Sequence, residues 1–336
     1  MKKNSKIKKD LSELSKDVRE ILNFKFPNIN TNYVLIFLFV AAAFLFGFVA
    51  NDLWGIKKTD LSTQPRAQVP VGKNTSQQSN TGQANLAKIQ NEVIKNDYVL
   101  KIKWNDLGQK LIADGVIDKQ KLAKAVTGTD SLPQNMDKYL TSDQTSIELN
   151  QQNAQFWVDV LWGLGLANNN PILNSGPMAH DGNTANFAST GGYTIGVNKP
   201  MDIYSKFSYI NLSSAQEQRV QEIASNIYRP CCDNPTSFPD CNHGMAALAL
   251  IELMVSQNFS DTDIYNAVLA FNTYWFPQTY LNTAYYFQLN GRDYGQVSAK
   301  EILSKTFSSA SGSQVISKRV GNINWPALQG GGSCGA

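Results

Sequence analysis

Within "RPCCDNPTSFPDCNHG", residues 229–244, stand Cys231, Cys232, Cys241 and His243, which are three of the chain's four cysteines and one of its two histidines. Thiols and an imidazole at this density support three kinds of chemistry. The sulfurs can pair as structural disulfides, exchange disulfides with a partner, or, as thiolates beside the imidazole, hold a soft metal such as Cu(I), or zinc. Cys334 follows the flexible segment "QGGGS", and a tail of that composition can carry its sulfur to the cluster. Cys231, Cys232 and Cys241 are therefore the candidate reactive residues, and the same three with His243 and Cys334 are the candidate metal ligands.

Three further residues are secondary candidates. Arg229 stands where it could orient an anion, Glu252 where it could supply an acid, and His180 is the remaining histidine. Their ordinary readings are a solvated arginine, a partly exposed glutamate and a surface histidine.

Each chemistry has its own signal. Neighbouring cysteines bond to each other only with strain, so two structural bridges would join one of Cys231 and Cys232 to Cys241 and the other to Cys334. A labile site is favoured by the position of Cys241 at the start of a helix, whose positive end stabilises a thiolate. Pro230, Pro235 and Pro239 stiffen the intervening loop and hold the sulfurs at a fixed separation. The spacing matches none of the familiar zinc signatures, and two histidines cannot build a histidine-rich metal centre. The chain contains no C-x-x-C, C-x-x-C-H, H-E-x-x-H or P-loop pattern, which removes the commonest redox, haem, zincin and nucleotide readings.

The elements that must position these residues are mostly helices. Ser214 with Glu217 reads as a capping box opening a helix over 215–228, which delivers the chain to Arg229. Asn242 is the expected cap of an apolar helix over 243–257. Ser260 with Asp263 starts a third helix, stopped near Pro277, and Ser298 with Glu301 a shorter one. Upstream, "WNDLGQKLIADG" reads as a helix stopped by Gly115, "DKQKLAKAV" as one capped by Asp118, and "NAQFWVDVLWGLGLANNN" as a strongly apolar one ending in asparagine. No convincing alternating strand pattern is present.

Outside this helical region the composition changes. Val34 to Ala50 carries no charge and, with its flanks, reaches the roughly 17–25 residues a membrane-spanning helix needs. A cleaved signal peptide is the competing reading, but the long preceding segment and the lack of a clear small-residue cleavage site favour an uncleaved anchor. The lysines before the run set the N-terminus in the cytoplasm and the remainder outside it. Ile7, Leu11, Leu14, Val18 and Ile21 make the tail an amphipathic surface helix or a short self-associating one. The net charge of +3 comes largely from that tail, so no nucleic-acid partner is expected.

The expected organisation is a basic amphipathic tail (1–32), a single transmembrane helix (33–54), a disordered linker (55–86), a helical subdomain (87–173), a polar glycine-containing loop (174–200), and a helical Cys/His domain with a glycine-rich tail (201–336). The fold class is mostly α, with the Cys/His loop between two helices.

The order helix, cysteine loop, apolar helix and then "SDTDIYNAVLAFNTYWF" resembles the three-helix domain of the cytochrome c maturation protein CcmH over residues 217–277. "NIYRPCC" stands where that family has its Leu-Arg-Cys segment, with Cys231 at the first cysteine position. In that family two residues separate the cysteines, whereas here the second sulfur is adjacent at Cys232 or further on at Cys241. The resemblance implies thiol–disulfide handling during assembly of another envelope protein. "YRPCC" with "FPDCNHG" is also similar to an uncharacterised family of bacterial membrane-anchored proteins, which implies the topology but no activity. A non-enzymatic envelope scaffold stapled by two disulfides is the competing expectation.

Overall fold

The computed structural model describes residues 85–180 and 182–326. The tail, the apolar run, nearly all of the linker and Cys334 lie outside the described residues. Among those described, no helix is long and apolar enough to cross a membrane.

Residues 85–93 are helical, so Asn85 and Leu86, assigned to the linker by composition, already belong to the folded unit. Strand β1 (Tyr98–Leu100) then pairs antiparallel with β2 (Ile147–Leu149), Tyr98 opposite Leu149 and Leu100 opposite Ile147. Leu100, Ile147 and Leu149 are buried while Val99 and Glu148 face outward, the alternation a half-buried sheet requires. Three residues per strand are too few for that alternation to stand out in the sequence.

Between and after the strands come helices α1 (Leu107–Ala113), α2 (Lys119–Thr127), α3 (Gln134–Thr141), α4 (Ala154–Ala167) and α5 (Pro171–Ser175). Asp118 caps α2 as expected, accepting from the amides of Gln120 and Lys121. Residues 174–200 carry two short 3-10 turns, Pro177–Ala179 and Thr184–Asn186, and lead into α6 (Pro200–Ile203). This stretch is anchored: Trp162 donates its indole N–H to Ser189 O at 2.7 Å, and Tyr193 its hydroxyl to Val116 O at 2.8 Å.

The cysteine region follows: α7 (Ser214–Ala224), α8 (Asn242–Ser256) and α9 (Asp261–Trp275). Then come α10 (Pro277–Leu289), α11 (Ala299–Ile302), α12 (Lys305–Ser308) and α13 (Ala310–Val320). Pro277, read as a stop for α9, is also the first residue of α10, where its missing N–H costs nothing. Helices α3, α5, α6, α10, α12 and α13 have no counterpart among the expected elements.

At the centre α4 packs along α8, and nearly every residue of both is buried. A Cβ on Gly165 would collide with the carbonyl oxygen of Met245, so glycine there lets the two backbones approach. The hydrophobic core runs continuously from Leu100 and Trp104 through α4 and α8 to Phe287 and Trp325. Helices from both halves of the described sequence therefore share one core.

Two caps differ from expectation. Ser213, not Ser214, caps α7, in a reciprocal box with Gln216. Cys241, not Asn242, caps α8: its Sγ accepts from the amide of Gly244 at 3.4 Å. Ser260 and Ser298 cap as expected, accepting from Asp263 and Glu301 amides.

Candidate functional site

The loop between α7 and α8 folds back on the helix that precedes it. Ser237 N donates to Ala224 O, and both the amide and the hydroxyl of Thr236 donate to Ile227 O. The other side is held by α13, whose Ala310 amide donates to Cys232 O at 3.0 Å while Ser311 donates its amide and hydroxyl to Asp233 Oδ1. The 174–200 stretch closes a third side: Ser189 N donates to Asp240 O, and the rings of Phe187 and Phe238 meet edge to face at 5.4 Å. Three separate segments thus fix one short loop.

Arg229 organises its interior. Only 1% exposed, it donates from Nη1 to Asn234 O at 2.9 Å, from Nη2 to Phe238 O at 3.1 Å and to Asp240 Oδ1 at 2.5 Å, and from Nε to Cys241 Sγ at 3.1 Å. A buried guanidinium needs such a full set of acceptors to repay its desolvation. Its flat face lies over Gly244, where an added Cβ would strike the guanidinium carbon. The secondary reading of Arg229 as a solvated residue therefore gives way to a buried one whose Nε addresses the sulfur of Cys241.

The three sulfurs of Cys231, Cys232 and Cys241 lie within 4.8 Å of one another. Cys231 is exposed and its Sγ is 3.1 Å from Cys241 Sγ. Cys232 Sγ lies 3.5 Å from Asp240 Oδ1, and Asn234 steadies Asp240 by donating from Nδ2 to Oδ2 at 2.8 Å. The Cys241 thiol is held well below its ordinary value, by hydrogen bonds from Cys231 and Cys232 first and by the Arg229 charge as well, against the effect of burial. Cys231 is pushed up by its hydrogen bonds with Cys232 and Cys241 and by burial. Cys232, pulled down by Cys231 but raised more by Cys241 and burial, reaches about 12. These opposite directions favour a negative charge at the sulfur that Arg229 and the start of α8 both address.

The remaining candidates fall elsewhere. His243 is buried, with its ring centroid 4.4 Å from that of Phe276 and 5.6 Å from that of Trp275. Burial lowers its pKa to about 4, and its buried Nδ1 has no partner among the described residues. Among the described residues, the only group of potential ligand atoms this close together is the three cysteine sulfurs. Three sulfurs this near one another could hold a soft ion. Glu252 lies eleven residues along α8 from Cys241, roughly 16 Å at the helical rise. It is fully buried, not partly exposed, and accepts from the side-chain amides of Asn168 and Asn170. His180 is exposed after the first 3-10 turn.

Asp240, Asn234 and Gly244 belong to the site but escaped the sequence reading. The available signal was Asp240 immediately before Cys241, a carboxylate within the same loop as Arg229. No family model, curated protein or solved structure matches this chain.

Proposed function

We propose that the cluster is a thiol–disulfide exchange centre built on Cys231 and Cys241, held outside a membrane by a single-pass anchor and acting on envelope proteins during their assembly. The observation that carries this reading is the pair of 3.1 Å contacts at Cys241 Sγ, one from Cys231 Sγ and one from Arg229 Nε. They divide the labour that exchange requires. Cys231 is the exposed residue of the pair and offers the sulfur that an incoming thiolate reaches, and Cys241 is the sulfur whose anion is stabilised, hence the better leaving group. Attack on Cys231 Sγ breaks the bridge, leaves a mixed disulfide there and releases Cys241 as thiolate. Arg229 and the Gly244 amide receive that charge without moving. The resemblance to CcmH supports the thiol chemistry, and the apolar run Val34 to Ala50 supports the placement.

Retention of a soft metal, Cu(I) or zinc, is a second reading, favoured by the proximity of the third sulfur, Cys232. Here the three cysteines would hold the ion, while Arg229 and Asp240 would orient and tune them.

Reduced full-length protein treated with glutathione disulfide should convert to a Cys231–Cys241 bridge. The Cys241→Ser variant should stop at a lasting glutathione adduct on Cys231, read by mass spectrometry. Two reduction-resistant bridges with no bound metal would overturn this reading in favour of a stapled scaffold, and stoichiometric metal with no exchange in favour of the metal site. A reporter fused after Ala336 should be active only outside the cytoplasm.

A further inference from the structure

We infer that the Cys231–Cys241 couple works as an oxidant, so that its substrates are proteins carrying unpaired dithiols and the bond it makes is theirs. This inference rests on the exchange reading above. The direction of a dithiol–disulfide couple is set by which of its two forms the surroundings stabilise. At Cys241 the donors all favour the reduced, anionic form: Arg229 Nε at 3.1 Å, the Gly244 amide at 3.4 Å, and the N-terminal end of α8, a helix of fifteen residues.

None of these donors can withdraw. Arg229 keeps its charge at any physiological pH. It is pinned by the carbonyls of Asn234 and Phe238 on one side and by α8 at Gly244 on the other. Oxidation replaces the thiolate by an uncharged disulfide sulfur, a poor acceptor. The buried guanidinium then keeps only Asp240 as a counter-charge, and the first turn of α8 loses its anionic cap. These losses belong to the oxidised form alone, so the electrostatics pull the couple toward the dithiol. Asp240 tempers the pull, because its carboxylate shares the guanidinium at 2.5 Å and adds a negative charge beside the cluster.

The transfer balances as follows. A partner thiolate attacks Cys231 Sγ, the Cys231–Cys241 bond breaks, and Cys241 leaves as thiolate. The partner's second thiolate attacks the partner's own sulfur in the mixed disulfide, forming the partner's bridge and expelling Cys231 as thiolate, which takes up a proton. Two electrons pass from the partner's dithiol to this chain; of the two protons that dithiol gives up, one is taken up at Cys231 and the other goes to solvent, because Cys241 stays a thiolate. A second disulfide couple of more oxidising potential restores the Cys231–Cys241 bridge.

Equilibration of the full-length protein with glutathione buffers at pH 7, followed by alkylation and mass spectrometry, tests the direction. The bridge should be largely reduced in buffers that leave structural disulfides intact. Arg229→Met should shift the equilibrium constant at least tenfold toward the disulfide. Asp240→Asn, which leaves Cys241 as the sole anion on Arg229, should shift it severalfold toward the dithiol. The second variant decides the matter if the loss of a buried arginine prevents folding. A bridge that exchanges with glutathione yet stays oxidised in millimolar reduced glutathione, and does not respond to Asp240→Asn, overturns the oxidant assignment and leaves the exchange reading standing. Absence of any exchange overturns both.

Discussion

At residue 244 the side chain has to be a hydrogen atom because the guanidinium of Arg229 occupies the space where a Cβ would stand, with Nη2 2.5 Å from that point. Gly244→Ala must therefore displace either α8 or the arginine, at a cost of about 1–3 kcal/mol. The displaced guanidinium would also loosen its hold on Cys241, so thiolate absorbance should titrate at higher pH than in the parent. A lower melting temperature with an unmoved thiolate titration would show that the arginine does not set the charge on the cluster. The cysteines were legible as candidates because their clustering in sequence is itself a signal. The burial of Arg229 was not legible, since it requires acceptors from Asn234, Phe238, Asp240 and Cys241 that only the closed loop collects. His243 shows the reverse: proximity in sequence suggested a ligand, but its ring lies against Phe276 and Trp275.

Among the elements, α7 shows how a correct pattern can be misplaced by one residue. "SSAQE" contains two overlapping boxes, Ser213 with Gln216 and Ser214 with Glu217. The first is the one that forms, and Gln216 also donates from Nε2 to Val255 O at 3.1 Å, tying the start of α7 to the end of α8. That tertiary hydrogen bond is available to residue 216 and not to the neighbouring Glu217, which carries no N–H on its side chain. Ser213→Ala should cost about 0.5–2 kcal/mol in thermal or denaturant unfolding, whereas Ser214→Ala should stay within about 0.5 kcal/mol. Equal losses in the two variants would place the cap wrongly. The same limit applies at α8, where asparagine is the better cap by type but Cys241 is the residue that the Arg229 cage holds in place.

Across the whole molecule, Glu252 ties α8 to the turn after α4 through Asn168 and Asn170. Burial pushes its pKa from 4.5 up to about 8, against the opposing pull of the two amides. A folded value above the unfolded one means that its contribution is full below pH 4.5 and is lost as pH rises toward 8. His243, lowered from 6.5 to about 4, acts with the opposite sign: its contribution is full above pH 6.5 and lost as pH falls toward 4. Between pH 6.5 and 8, then, stability to denaturant should decline in the oxidised protein, where Cys241 has no thiol to titrate, with Asp159, raised by burial to about 7, adding to the early part. Glu252→Gln should abolish most of that decline and cost about 1–3 kcal/mol overall, because its amide would face an asparagine amide with no acceptor. A decline unchanged in this variant would assign it to another group. By itself the sequence determined the helical class, the capped starts of α2, α9 and α11 and the clustering of three cysteines in one loop, because caps, apolar periodicity and clustered thiols are local patterns. Only the tertiary structure decided that Arg229 is buried, that Asp240 and Gly244 complete its cage, that Arg229 and the Gly244 amide both address Cys241 and that α4 and α8 share one core. Each of these depends on segments far apart in the chain meeting at distances no local pattern encodes.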